Sequence, residues 1–152
     1  MVVHRLRKYV LDANCFIDAA NEPEARAAFD EFCVQAAPGL HLSAVVAAEL
    51  RAGAGRDLNT LDRRVLGPYI RRGRVVTPSG AAWHALGSTL ATLVTQNGLV
   101  LTKVRRSFVF DILLAYSCRE AGAILVSSNT RDLERIAKVF AFDFLPPYPR
   151  LR

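Results

Sequence analysis

The chain has 152 residues, 51% of them hydrophobic and 22% charged, with a formal charge of +6 and a pI near 9.7. That length suits one domain, residues 1–152, able to bury roughly 70% of its unfolded surface, and the composition excludes a disordered chain. No apolar run reaches the ~20 residues that span a bilayer.

KYVLD, residues 8–12, reads as a first strand with Asp12 at its tip and a short helix, Ala13 to Ala20, beyond it. Glu22–Ala37 reads as a stronger helix: Pro23 suits a first turn, Ala27, Phe29, Phe32 and Val34 recur with helical character, and Pro38-Gly39 stops it. Leu40 to Leu42 is a short strand, after which Ser43 makes an N-cap for AVVAAELRAGA, ended by Gly53 and Gly55. Leu58 to Ile70 reads as a helix and RVVTP as a short strand. A long helix then starts at Ser79 or Gly80 and runs to about Gln96, closed by Asn97-Gly98. Leu99 to Arg106 reads as a connecting loop, and Ser107 as the cap of an apolar helix, FVFDILLAYSCREAG, ending at Gly122. AILVS, residues 123–127, has the uniform apolarity of a strand buried on both faces. Asn129 and Asp132 open a short helix, and FDFLP is a last strand before a proline-rich tail.

Strands alternating with helices predict a mostly parallel central sheet covered on both faces, a three-layer α/β/α sandwich. Ligands bind such sheets beyond the carboxyl ends of the strands, where the chain order switches. Asp12 and the Ser127-to-Asp132 segment both follow strand tips.

Cys15, Cys33 and Cys118 are far apart and unpaired by any CxxC, so they read as small buried hydrophobes in a reducing compartment. His4, His41 and His84 are equally scattered, which argues against a His- or Cys-liganded metal. The basic opening MVVHRLRKYV leads straight to Asp12 with no secretory core, so the mature protein reads as starting there, in the cytoplasm. Arginine strongly outnumbers lysine, and a planar guanidinium suits phosphate, so the charge points to a polyanion such as RNA or DNA.

Several acids stand where a solvated charge makes little sense. Glu49 lies inside SAVVAAEL, and Asp111 lies inside FVFDILLAY with core-type residues on both sides. A buried carboxylate is costly unless paired or metal-bound. Structural readings exist for each. Asp12 could cap the following helix, Asp132 with Asn129 resembles an N-terminal capping arrangement, and Glu49 could face solvent near Arg51. Asp111 could be the one exposed residue of an apolar run.

Together the stretches VLDANCFID, SAVVAAEL, FDILLAYSCREAGAILVSSN and NTRDL follow the order and approximate spacing of the PIN-domain nucleases. The chain resembles the VapC-type ribonuclease toxins of bacterial toxin–antitoxin pairs from about Tyr9 to Pro146. The resemblance implies a metal-dependent endoribonuclease in which Asp12, Glu49, Asp111 and Asp132 converge on Mg²⁺ or Mn²⁺. Hard divalent ions do prefer carboxylate oxygen, and a cation there would relieve the acids' repulsion and acidify a water for in-line attack on a phosphodiester. Asn14, Ser127 and Asn129 match the family's polar supporting positions, with Ser127 where threonine is usual and Leu133 where phenylalanine is usual.

Lys103, Arg105 and Arg106 precede the Asp111 helix and are the expected RNA-phosphate contacts. Arg51, Arg56, Arg63, Arg64, Arg71, Arg72 and Arg74 form a second basic group, which reads as solvated faces. The resemblance further implies a homodimer and a cognate antitoxin, docking on the Glu22–Ala37 and Ser43–Gly53 helices. Two other classes compete: a catalytically idle RNA- or protein-binding module, and a phosphatase of the haloacid dehalogenase type using Asp12. Asn14 stands where the second acid of that phosphatase motif is needed.

Overall fold

The computed structural model describes residues 7–151. Five parallel strands form one sheet in the order β3-β2-β1-β4-β5: β1 (Lys8–Leu11), β2 (Leu40–Ser43), β3 (Val75–Val76), β4 (Ala123–Val126) and β5 (Phe144–Leu145). From β1 the chain runs outward through β2 to β3, then returns to β4 on the other side. The order therefore switches between β1 and β4, whose four residues pair in full register from Lys8–Ala123 to Leu11–Val126. The two edge strands, β3 and β5, are only two residues long.

Side-chain alternation along the strands builds two cores, one on each face. Val10 and Leu125 point to one face, where they meet α3 (Ala44–Gly53), α6 (Gly80–Asn97), α7 (Arg106–Ala121) and α8 (Thr130–Ala137), and Leu42 at the end of β2 joins the same core. Tyr9, Leu11, Leu40, Ile124 and Val126 point to the other, against Cys15 of α1 (Ala13–Asn21) and Phe32 and Ala36 of α2 (Pro23–Ala36). The α/β/α sandwich expected from the alternation is what forms. Cys15 and Cys118 are buried apolar fillers, and Cys33 is half-buried.

Most helix signals act as read. Ser43 accepts from the Val45 amide at 3.1 Å and Ser79 from the Ala82 amide at 3.1 Å, while Gly98 (φ 67) and Gly122 (φ 66) close α6 and α7 in the left-handed conformation. The expected Ser107 cap is not formed. Arg105 is the extended residue before α7, its carbonyl accepts from Phe108 and Val109, and Ser107 already lies inside the helix. The Leu99-to-Arg106 loop contains a single 3-10 turn, Leu101–Lys103, and Arg106 belongs to α7.

The expected Leu58–Ile70 helix is interrupted. One turn, α4 (Leu58–Thr60), widens into a π-helical segment (Leu61–Leu66) before α5 (Gly67–Arg71). Pro68 has no amide hydrogen and its ring crowds the carbonyl four residues back, so a widened register just ahead of it relieves the clash. No described helix is long and apolar enough to cross a membrane.

Candidate active site

The switch between β1 and β4 brings two chain segments together at the carboxyl edge of the sheet. The Asp12 amide donates to the Val126 carbonyl at 2.9 Å, which continues the β1–β4 ladder one residue further. Asp12 then leaves the strand and uses its two oxygens differently. Oδ1 caps α1 by accepting from the Ala13 backbone amide at 2.7 Å, and Oδ2 accepts from the Ser127 hydroxyl at 2.7 Å and from Asn14 Nδ2 at 3.2 Å. Capping and site-building are thus both true of this residue.

Ser127, fully buried after β4, is the hinge of the network. Its oxygen also accepts from Asn14 Nδ2 and from the Asn129 backbone, each at 3.0 Å, and Asn14 Oδ1 in turn accepts from the Ser128 amide at 3.2 Å. Asn129 extends the network outward: its side-chain nitrogen donates to Asp111 Oδ2 at 2.9 Å and to Asp132 Oδ2 at 3.2 Å. It caps no backbone amide, because its side chain is committed to the two acids. Asp132, in the first turn of α8, also meets Arg105 Nη2 at 3.5 Å and Arg135 Nη1 at 3.8 Å.

The acids are held against their preference for water. Asp12 and Asp111 are 4% and 5% exposed, values usual for leucine rather than aspartate. Burial, then the charges of Asp12, Glu49 and Asp132, push the Asp111 carboxyl up to about 8, against the Asn129 hydrogen bond. Burial and Asp12 push Glu49 up to about 7, opposed by Arg106. Burial also raises Asp12, with the Ser127, Ala13 and Asn14 hydrogen bonds pulling it back. Glu49 does not pair with Arg51, which reaches Asp62 at 3.3 Å; its Oε1 is buried without a hydrogen-bond partner.

Asp12, Glu49 and Asp132 thus all act electrostatically on Asp111. Among the described residues, no three His, Cys, Asp or Glu side chains stand close enough to form a ready-made metal cage. The donors available are carboxylate oxygens around a buried, unpartnered one, which fits a hard divalent ion that retains most of its waters. Of the basic residues, Arg105 ion-pairs with Asp132 and Arg106 acts on Glu49, while Lys103 is exposed in the 3-10 turn. Sequence reasoning missed Arg135. Its signal was the i,i+3 spacing from Asp132, and its guanidinium lies 4.8 Å from the Phe108 ring centroid.

A concavity of about 450 Å³ lies away from these acids, between α1, α2 and the Leu58–Arg71 helical stretch. Phe16, Ile17, Phe29, Val65 and Tyr69 give it apolar walls, and Arg26, Arg64, Arg72 and Arg74 border it.

The PIN domain family model matches residues 9–139, and the chain belongs to that family. No curated protein is a significant match to the sequence. Solved structures with the same fold include a chain of the DNA-bound VapBC complex of Salmonella typhimurium, with 23% identity over 93% of this chain and 99% of that one, at a TM-score of 0.67. VapBC2 of Rickettsia felis, bound to a DNA fragment from its promoter, is similar at 21% identity, 91% and 97% coverage and a TM-score of 0.64. VapBC-1 of nontypeable Haemophilus influenzae matches at 21% identity, 91% and 96% coverage and a TM-score of 0.60.

Proposed function

We propose that this PIN-domain protein is a VapC-type endoribonuclease toxin that hydrolyses RNA phosphodiester bonds with Mg²⁺ or Mn²⁺. The observation that carries this reading is the set of mutually repelling acids near the β1–β4 switch, Asp12 and Asp111 buried and Glu49 and Asp132 half-buried, with one glutamate oxygen left unpartnered. Burying such a set uncompensated opposes folding, so its retention fits a site that a divalent cation completes.

Asp12, Glu49, Asp111 and Asp132 would hold the ion. When bound, it would neutralise the acids and lower the pKa of a water for in-line attack on phosphorus. Ser127 and Asn14 orient Asp12, and Asn129 orients Asp111 and Asp132, by hydrogen bonds to their carboxylates. Arg105 and Arg106, with Lys103 further out, would bind backbone phosphates and offset the repulsion between the acids and RNA.

A cognate antitoxin is the proposed protein partner. The similar VapBC complexes support it, and the apolar concavity with its arginine border offers a surface adjoining α1, whose first residues form the site. Homodimerisation and action in the cytoplasm complete the reading, and exposed Trp83, Val100 and Leu101 supply apolar surface for a second copy.

Cleavage of RNA by purified, antitoxin-free protein in Mg²⁺ or Mn²⁺ tests the proposal. Wild type should cut, and Asp12→Asn and Asp111→Asn should lose at least ~100-fold in rate. Undiminished cutting by both variants, or none by wild type, overturns it.

A further inference from the structure

Asp132 differs from the other three acids in already having cationic partners, and the two partners are held very differently. Arg135 sits one turn later on the same helix, faces Oδ1, and rests its guanidinium on the Phe108 ring, itself 4% exposed. Arg105 approaches from the chain before α7, touches Oδ2 at 3.5 Å, and has a side chain 74% exposed. Oδ2 is also the oxygen that Asn129 aims beside Asp111. One oxygen thus faces, at 3.8 Å, an arginine that is 42% exposed and braced against an aromatic ring, and the other, turned toward the acid cluster, is covered by a more exposed arginine with no such brace.

We propose that Arg135 is a positioning residue, locking the Asp132 carboxylate through Oδ1, and that Arg105 is an exchangeable counter-ion covering Oδ2 until a divalent cation enters. The inference rests on the divalent-cation reading above. Arg105 stands in for part of the missing positive charge in the cation-free protein. On yielding Oδ2 it becomes free to meet an RNA phosphate, so loading of the cation and exposure of a phosphate contact are coupled through one side chain. Arg135 cannot make the same exchange, because leaving Asp132 would also forfeit its stacking on Phe108.

The two arginines therefore act on cation affinity with opposite sign, which simple charge arithmetic does not predict. Removing either positive charge should, by Coulomb's law alone, tighten cation binding. Calorimetric titration of the RNA-free protein with Mn²⁺ separates the cases. Arg105→Ala should bind Mn²⁺ about three-fold more tightly than Lys103→Ala, a control that removes an exposed charge, as expected for loss of one exposed ion pair. Arg135→Ala should instead weaken Mn²⁺ binding, and Arg135→Lys, which keeps the charge without the flat face, should lie between it and wild type. The lysine variant also serves if the alanine variant does not fold.

Equal affinity in Arg105→Ala and Lys103→Ala overturns the exchange. Tightened binding in Arg135→Ala or Arg135→Lys overturns the positioning role. If wild type binds no Mn²⁺, the inference and the metal-dependent reading fail together. If the affinities follow the expected order but RNA is not cut, only the nuclease reading fails.

Discussion

Ser127 donates its hydroxyl to Asp12 Oδ2 at 2.7 Å, joining residues 115 positions apart at the tips of two neighbouring strands. Because the same oxygen accepts from Asn14 and from the Asn129 amide, this short contact ties three segments together.

Ser127→Ala should cost about 1–3 kcal/mol, since it leaves a buried carboxylate oxygen and a half-buried amide short of partners. Urea denaturation in EDTA measures this. Ser127→Thr keeps the hydroxyl and should cost less than alanine; an alanine variant as stable as wild type would show that the network carries no stability.

The metal-free protein should lose stability as pH rises from about 5 to 8. Asp111 and Glu49 have folded-state pKa values of about 8 and about 7, above their ordinary range near 4, so the folded chain holds protons that the unfolded chain releases. The penalty is absent below the unfolded values, sets in above them, and stops growing once pH passes the folded ones. Each group contributes a slope of at most ~1.4 kcal/mol per pH unit. Melting temperatures in EDTA across this range should show the decline, Asp111→Asn should flatten it, and Mn²⁺ should reduce it. An identical slope in Asp111→Asn would refute the assignment.

Gly39→Ala should destabilise by at least ~2 kcal/mol without touching the site, as forced overpacking does. A methyl group there would collide with the Arg7 carbonyl, which is backbone and cannot swing aside. Chemical denaturation reads the loss. A near-neutral variant would mean that the approach of Gly39 to the start of β1 is not tight in solution.

Arg105→Ala combined with Arg106→Ala should weaken RNA binding mainly at low salt. Loss of two phosphate contacts on a single strand should lower the slope of log K against log salt by about 1.4. Fluorescence anisotropy on the Asp12→Asn background, to prevent cutting, measures it. An unaltered slope would remove these arginines from the phosphate path.

Much of this was legible from local chemistry. β1 and β4 announce themselves as apolar runs ending in polar residues, and the serine caps of α3 and α6 and the closing glycines of α6 and α7 act over a few positions. The acids were visible as charges in the wrong company. What sequence left open was partnership. Asp12 reads equally well as a cap or a site residue because each interpretation uses one of its two oxygens. Asn129 looked like a cap and proved to be a bridge between Asp111 and Asp132. Ser107 reads as a cap, whereas Arg105 occupies the N-cap position without a side-chain bond, because helix starts are set by backbone geometry that several adjacent residues could meet. Arg135 went unnoticed because its role depends on Phe108, which arrives from another helix.

The strand order has a consequence in time. Asp12, Glu49 and Asp111 are all synthesised before β4 exists, yet the hydroxyl and amides that seat Asp12 and Asp111 come from Ser127 and Asn129. A fragment ending at Gly122 would carry three of the four acids but lack the β4 tip and the Ser127 and Asn129 that follow it. A message read only part way thus yields carboxylates without a site, and the complete arrangement arises only once the last fifth of the chain has joined the sheet.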